Sequence, residues 1–249
     1  MLAGKGASTS ILYNSLKNDF EIEAIILERP VPAKEFIKKR LKKLGLEKVA
    51  GQVLFQFSIA KFLHLMSSKR IKEILKEYGL HDEPIPEEKI IHVNSVNNNK
   101  CLSLLKKINP ELVIVNGTRI ISKEILNCIQ AKFINIHAGI TPKYRNVHGG
   151  YWAIVNNDPE NCGVTVHMVD PGIDTGNIIY QQKIPVSSKD NFATYPFLQL
   201  AEGIILLKKA LPDVFANRIQ FQKNDLESKL WYHPTFWQYI YYRIVHNKK

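Results

Sequence analysis

Two pairs of polar residues interrupt otherwise apolar strand-like runs, and their types suit acid–base and oxyanion chemistry. Asn135 and His137 stand two positions apart in residues 132–137 (KFINIH), which end where Ala138, Gly139 and Pro142 announce a loop. Successive side chains of a strand point to opposite faces, so the amide and the imidazole share one face near the strand's carboxyl end. Open α/β sheets place their ligand sites at that end. The second run, residues 163–169 (GVTVHMV), alternates Val164, Val166 and Met168 with Thr165 and His167, then enters a loop with two carboxylates, Asp170 and Asp174. A carboxylate that returns to a strand-end imidazole fixes the ring and favours its protonated form. Each polar residue alone is more often a turn-former or a satisfied polar group; their combined spacing carries the argument.

The elements that must position these residues follow from periodicity. Residues 3–16 read as a glycine turn followed by a helix capped by Ser8, Thr9 or Ser10, with Lys5 beside backbone N–H groups that would suit an anion. Only Met1, Leu2 and Ala3 precede Gly4, so the first strand of a parallel sheet is very short or the start of the chain is missing. Strands are expected at 21–27, 89–93, 111–115 and 177–186, and helices at 101–108, 122–126 and 194–211, with Pro196 confined to the first turn of the last. Residues 33–79 form a long helical insertion. Lys38, Lys39, Arg40, Lys42 and Lys43 cluster in its first part; an apolar run broken by Gln56, Ser58, Lys61 and His64 follows. These breaks speak against a bilayer span. Packing on the core or on another subunit is the first reading, and peripheral contact with a membrane surface is the second. The aromatic-rich tail, residues 230–249, is expected to pack on the domain or on another subunit.

At 249 residues the chain is long enough for one large domain, and 45% hydrophobic with 23% charged residues is ordinary for a globular protein. The charge balance is less ordinary: 34 Lys and Arg against 23 Asp and Glu leave +11, which suits an anionic partner such as a phosphorylated substrate, nucleic acid or an acidic membrane face. The three cysteines, Cys101, Cys128 and Cys162, are far apart and show no metal-type pairing, so buried thiols in a reduced compartment are expected and no metal. The amino terminus lacks the long apolar core of a secretory signal, so a cytoplasmic location is expected.

Taken together, N-I-H, a Pro loop with Tyr144 and Arg145, G-V-T-V-H and D-x-G-x-D-x-G resemble the formyltransferase family that uses 10-formyltetrahydrofolate. That family includes glycinamide ribonucleotide, methionyl-tRNA and sugar-nucleotide N-formyltransferases. The close resemblance covers roughly residues 110–210. It implies an α/β, Rossmann-like formyltransferase fold with a mostly parallel central sheet: a catalytic domain over 1–211 and a short extension over 212–249. It also implies catalytic roles for Asn135, His137 and Asp174, folate contacts from Arg119, Ile120, Ile121 and Asp170, and acceptor contacts from Lys5, Gly6, Ser8, Tyr144 and Arg145. Many relatives have Pro-Ser where this chain has Ala138-Gly139, and Gly where it has Asn146; Asn tolerates the left-handed backbone well enough to keep that turn.

Among acceptors, the amine of a nucleotide-linked amino-dideoxy sugar (a dTDP- or GDP-4-amino-4,6-dideoxyhexose for O-antigen or other surface polysaccharide) is expected first, because its diphosphate suits a basic chain. Glycinamide ribonucleotide is the alternative. About forty residues after the last core helix are few for a separate tRNA-binding domain, so no nucleic-acid partner is expected, and a homodimer is. The non-enzymatic alternative is a basic relative that docks on membrane phosphate or nucleic acid.

Overall fold

A computed structural model of the chain describes residues 1–248. Its sheet is built around three residues. β1 (Leu2–Gly4) lies between β2 (Ile25–Glu28) and β4 (Leu112–Asn116), pairing in parallel with both, and Leu2 and Ala3 are fully buried. In this structure β1 is three residues long. The Met1 ammonium is buried too and donates to the Ala24 carbonyl at 2.7 Å, and burial pushes its pKa down to about 5.

β3 (Ile90–Val93), β5 (Lys132–His137), β7 (Gly163–Met168) and β8 (Ile178–Lys183) complete a seven-stranded sheet in the order β3-β2-β1-β4-β5-β7-β8. The first five strands in that order are parallel; β7 and β8 are antiparallel to their neighbours. Helices cover both faces, as a parallel sheet of near-continuous apolar strands requires. On one face α1 (Ala7–Leu16) and α9 (Tyr195–Phe215) bury Ile11, Leu12 and Leu207 against Ile134, Val164 and Val166. On the other, α6 (Asn99–Ile108) brings Cys101 and Leu105 against Val113 and Phe133. Phe133 and Ile134 serve opposite cores, as alternation demands. The helix expected over 194–211 continues through Pro212 to Phe215, so the expected boundary at 211/212 falls inside α9.

The insertion is not one helix. Gly45, at φ 82°, separates α2 (Ala33–Leu44) from α3 (Leu46–Phe55); a π-helical turn (Gln56–Ala60) leads into α4 (Lys61–Met66), and α5 (Ser68–Glu77) follows. Only its inner edge meets the core. Phe55 is fully buried against Phe192 and Tyr239, at 4.9 and 5.3 Å between ring centroids, in a cluster with Tyr144, Tyr151 and Trp152. The tail closes this cluster: Trp231 stacks on Trp152 at 4.8 Å and on Tyr144 at 5.8 Å, and α10 (Phe236–Val245) follows a Thr235/Gln238 capping box. Packing of the tail on the domain is thus observed.

Polar ties hold the insertion in place. Arg70 Nε donates to Asp190 Oδ1 at 3.0 Å, and Asp190 is 1% exposed. Burial would raise this carboxyl, but Arg70 and the Ser187 donors outweigh it and hold it below its usual range. His233 Nδ1 lies 2.8 Å from His148 Nε2 and 2.9 Å from Gln56 Nε2, while Gln52 donates to the His233 carbonyl and accepts from Arg40. Burial, helped by the nearby Arg40 charge, pushes His233 down to about 4; burial also depresses His148.

Two stability effects follow. Arg70→Ala strands the Asp190 carboxylate in the interior and should cost about 2–3 kcal/mol, less than a fully enclosed pair because the Arg70 side chain is 15% exposed; denaturant unfolding reads it. His233 has a folded pKa below its unfolded value, so its contribution is complete above about pH 6.5 and is lost as pH falls toward 4, amounting to about 3 kcal/mol. His233→Gln should flatten that part of the unfolding free energy measured against pH, and an unchanged slope would show that His233 is not the group responsible.

Candidate active site

Asn135 and His137 lie on β5, between parallel β4 and antiparallel β7. Register sets their first partner: Asn135 stands directly opposite His167, and a cross-strand pair in an antiparallel ladder is close enough to bond. Asn135 Nδ2 is 3.2 Å from His167 Nε2. His167 Nδ1 is 2.8 Å from the Met168 carbonyl, which can only accept, so the proton sits on Nδ1 and Nε2 receives the Asn135 amide N–H. The amide's orientation is thereby fixed.

His137 is held from two sides. Its Nε2 is 2.7 Å from the Tyr144 carbonyl and its Nδ1 is 3.3 Å from Asp174 Oδ2. The approach of that carbonyl depends on Gly139: a Cβ there would lie 2.2 Å from the Tyr144 oxygen and 2.8 Å from His137 Nε2, and 3.3 Å from the Gly149 Cα. Gly139 is therefore a packing requirement of this loop. Asp174 adopts φ 51° in the loop after β7, and its Oδ2 accepts the Asn146 backbone N–H at 2.8 Å while Oδ1 lies 3.7 Å from His167 Nε2. Asn146 is itself left-handed, at φ 83°, as its identity allows. Its side chain donates to the Trp231 carbonyl at 2.6 Å, in the parallel pairing of β6 (Arg145–Asn146) with β9 (Leu230–Trp231).

The electrostatics follow from burial. Desolvation would raise the Asp174 carboxyl, but the His137 ring, His167 and the Asn146 N–H together bring it down to about 2. For His137 burial wins over the attraction of Asp174 and the Tyr144 carbonyl, and the ring titrates below its ordinary value. At neutral pH the pair is an ionised carboxylate beside a neutral imidazole, with the Nε2 proton on the shorter contact to Tyr144 and Nδ1 turned toward Asp174.

These four side chains line one cleft of about 450 Å³, a volume ordinary for a small-molecule site. Asn116, Gly117, Thr118, Ile120, Val169 and Asp170 also contribute to its lining. The other expected contacts divide. Ser8 reaches the cleft and accepts from Asn116 Nδ2 at 3.1 Å. It does not cap α1: Gly6 occupies the cap position without a side-chain bond, and the Ser8 and Thr9 hydroxyls face Asn116 instead. Lys5 and Gly6 are exposed and do not line the cleft. Ile120 and Ile121 both line the cleft, Ile120 half exposed and Ile121 buried with Val96 and Ile125 in the core behind it.

Arg119 lines the cleft but its guanidinium is committed to Glu28 at 2.7 Å and to the Arg29 carbonyl at 2.8 Å. Tyr144 is a correction to the sequence reading. Its side chain is fully buried and its hydroxyl donates to Asp158 at 2.8 Å, so only its carbonyl reaches the site. Arg145 donates to the Ile173 carbonyl at 3.2 Å and ties the two site loops together. Asp170 folds its own turn, accepting from Gly172 N–H and Thr175 Oγ1. The residue that sequence reasoning left out of the site is His167; its signal was present in the polar phase of the 163–169 alternation.

Several known proteins share features of this chain. The methionyl-tRNA formyltransferase of Caldanaerobacter subterraneus subsp. tengcongensis is 33% identical over 131 residues, covering 52% of this chain and 40% of that protein. The one from Kosmotoga olearia is 30% identical over 156 residues, covering 62% and 47%; the chain thus spans less than half the length of these curated relatives. In three dimensions, a sugar N-formyltransferase from Shewanella sp. FDAARGOS_354 superposes with a TM-score of 0.53 at 20% identity, over 92% of this chain and 74% of that one. An N-formyltransferase from Helicobacter canadensis, solved with folinic acid and dTDP-3-aminofucose, gives 0.52 at 21% identity over 92% and 69%. At such identities the likeness shows the fold. The family model for formyl transferases matches residues 36–205, which include most of the insertion and the Asn135, His137, His167 and Asp174 side chains that line the cleft, and the chain accordingly belongs to the formyl transferase family.

Proposed function

We propose that this protein transfers a formyl group from 10-formyltetrahydrofolate to a primary amine, with Asn135, His137 and Asp174 as its catalytic residues. One observation carries the reading: side chains from two strands and the following loop converge on a single cleft in a fixed, mutually bonded arrangement. A ring with polar edges suits the lining: Val115, Ile120 and Val169 are apolar, and Asn116, Thr118 and Asp170 are polar. The donor supplies the formyl carbon, and its nitrogen takes back a proton.

The chain's own residues divide the remaining work. Asn135, with one Nδ2 hydrogen held by His167, keeps the other for the formyl oxygen as negative charge grows there. The neutral Nδ1 of His137 can accept the proton shed by the attacking amine, and the carboxylate of Asp174 stabilises the imidazolium so formed. Burial disfavours a preformed imidazolium, so His137 acts through proton transfer. His167 positions the amide.

For the acceptor, an amino sugar linked to a nucleoside diphosphate, such as a dTDP- or GDP-4-amino-4,6-dideoxyhexose, is the reading we favour. The net charge of +11 suits a diphosphate, and the Helicobacter canadensis relative was solved with a ligand of that class.

Asn135→Ala and His137→Ala should each lower turnover about a hundred- to a thousand-fold while the fold persists, read by single-turnover formyl transfer alongside circular dichroism. Retention of most of the activity by either variant would remove that residue from the mechanism. In an NMR titration the His137 ring should gain its proton below its ordinary pKa, and Asp174→Asn, which deletes the charge favouring imidazolium, should move that titration lower still. A panel of amino-sugar nucleotides, glycinamide ribonucleotide and methionyl-tRNA, scored by formyl mass gain, tests the acceptor; transfer to either of the last two alone would replace it.

A further inference from the structure

The insertion and the tail leave a large apolar surface without a partner among the described residues. The helical run Leu46–Met66 is long and apolar enough to cross a membrane, yet it lies along the domain. Its inner edge, with Val49 and Phe55, is buried, and Phe55 packs on Tyr239 of α10. α10 approaches α3 closely, since a Cβ on Gly51 would meet Thr235 Cβ at 2.9 Å. Two neighbouring helices therefore share one buried seam and turn their other faces outward.

What they present there is apolar. Leu54, Phe57 and Leu65 are exposed along the first helical run; Trp237, Tyr241 and Ile244 recur at helical spacing along α10. Phe57 is 79% exposed and Ile244 75%. Isolated exposed apolar residues are common, but a cluster of large ones on adjacent helices marks an interaction surface.

The charges beside it select the partner. α2 packs against α3 and buries none of its own residues; it carries Lys34, Lys38, Lys39, Arg40, Lys42 and Lys43 against a single carboxylate, Glu35. Together, segments 33–66 and 236–245 hold nine Lys and Arg and two Glu, so they account for seven of the chain's eleven net positive charges. A symmetric contact with a second copy sets the same patch on both sides of the interface and would bring these cations together. A nucleic-acid backbone would use the lysines but not the aliphatic and aromatic stripe. A bilayer surface with anionic headgroups uses both: apolar side chains enter the headgroup boundary, Trp and Tyr suit that depth, and lysines reach the phosphates.

We infer that α2, the outer face of Leu46–Met66 and the outer face of α10 form a docking surface for an anionic membrane, on which the protein rests peripherally. The inference stands apart from the choice of reaction and acceptor.

Flotation of the full-length protein with vesicles of phosphatidylcholine alone, or of phosphatidylcholine mixed with phosphatidylglycerol, tests it. Binding should require phosphatidylglycerol and should shift Trp237 fluorescence to the blue. The double variant Lys38→Gln/Lys42→Gln should bind about thirty-fold more weakly, and Phe57→Ser/Leu65→Ser at least about ten-fold more weakly. All four positions are exposed, so both variants should keep the wild-type unfolding midpoint; if the apolar pair fails to fold, the lysine pair decides alone. Equal recovery with both vesicle types, or binding unchanged in the lysine pair, would overturn the proposal. So would a concentration-dependent dimer dissolved by Phe57→Ser/Leu65→Ser, or retention of nucleic acid in preference to the anionic vesicles.

Discussion

A single carboxylate governs the site. Asp174 is largely enclosed, and a carboxylate removed from water stays ionised only where donors replace its hydration. The Asn146 backbone N–H donates to it at 2.8 Å, and two imidazoles lie beside it at 3.3 and 3.7 Å; each arrives from a different stretch of chain. The sheet brings His137 and His167 to adjacent strands, the loop after β5 turns Asn146 inward, and the left-handed backbone at Asp174 aims the acid at all three. Loss of any of these approaches would leave a buried charge short of partners, so the geometry is specified by the cost of its alternatives as much as by its contacts.

The same competition between burial and pairing sets the protonation pattern. For Asp174 the donors overcome burial, and for His137 burial overcomes the acceptors. Both groups, 3.3 Å apart, therefore titrate below their ordinary values but for different reasons, which at neutral pH leaves one as a fixed charge and the other as a vacant proton acceptor. The amide has a different kind of constraint: His167 is locked by the Met168 carbonyl in one tautomer, and this removes the freedom of Asn135 to flip.

Much of this was legible in the sequence because it follows local rules. Alternation along 132–137 and 163–169 places the polar residues on one face, and the antiparallel pairing of those strands sets them side by side. Asn146 in a left-handed turn was readable from its side-chain type. What could not be read depends on non-local packing. Tyr144 lies in the loop next to the site, but its ring turns toward Trp231, eighty-seven positions away, and only its carbonyl serves His137. Ser8 looks like a helix cap until Asn116 from another strand takes up its hydroxyl. The insertion carries an apolar pattern that announces burial, yet only its inner edge is covered, because periodicity reports amphipathicity and does not say what lies opposite.

One small feature joins the two halves of this description. β6 and β9 exchange only a pair of residues each, but the segment is shared property: Asn146 gives its backbone N–H to the acid and its side-chain amide to Trp231, at the root of the tail. The peptide that tunes the acid is thus bolted to the same strand that leads, five residues on, into α10. A short covalent and hydrogen-bonded path runs from that outer helix to the charge at the reaction centre, so the seat of α10 and the seat of the acid are parts of one connection.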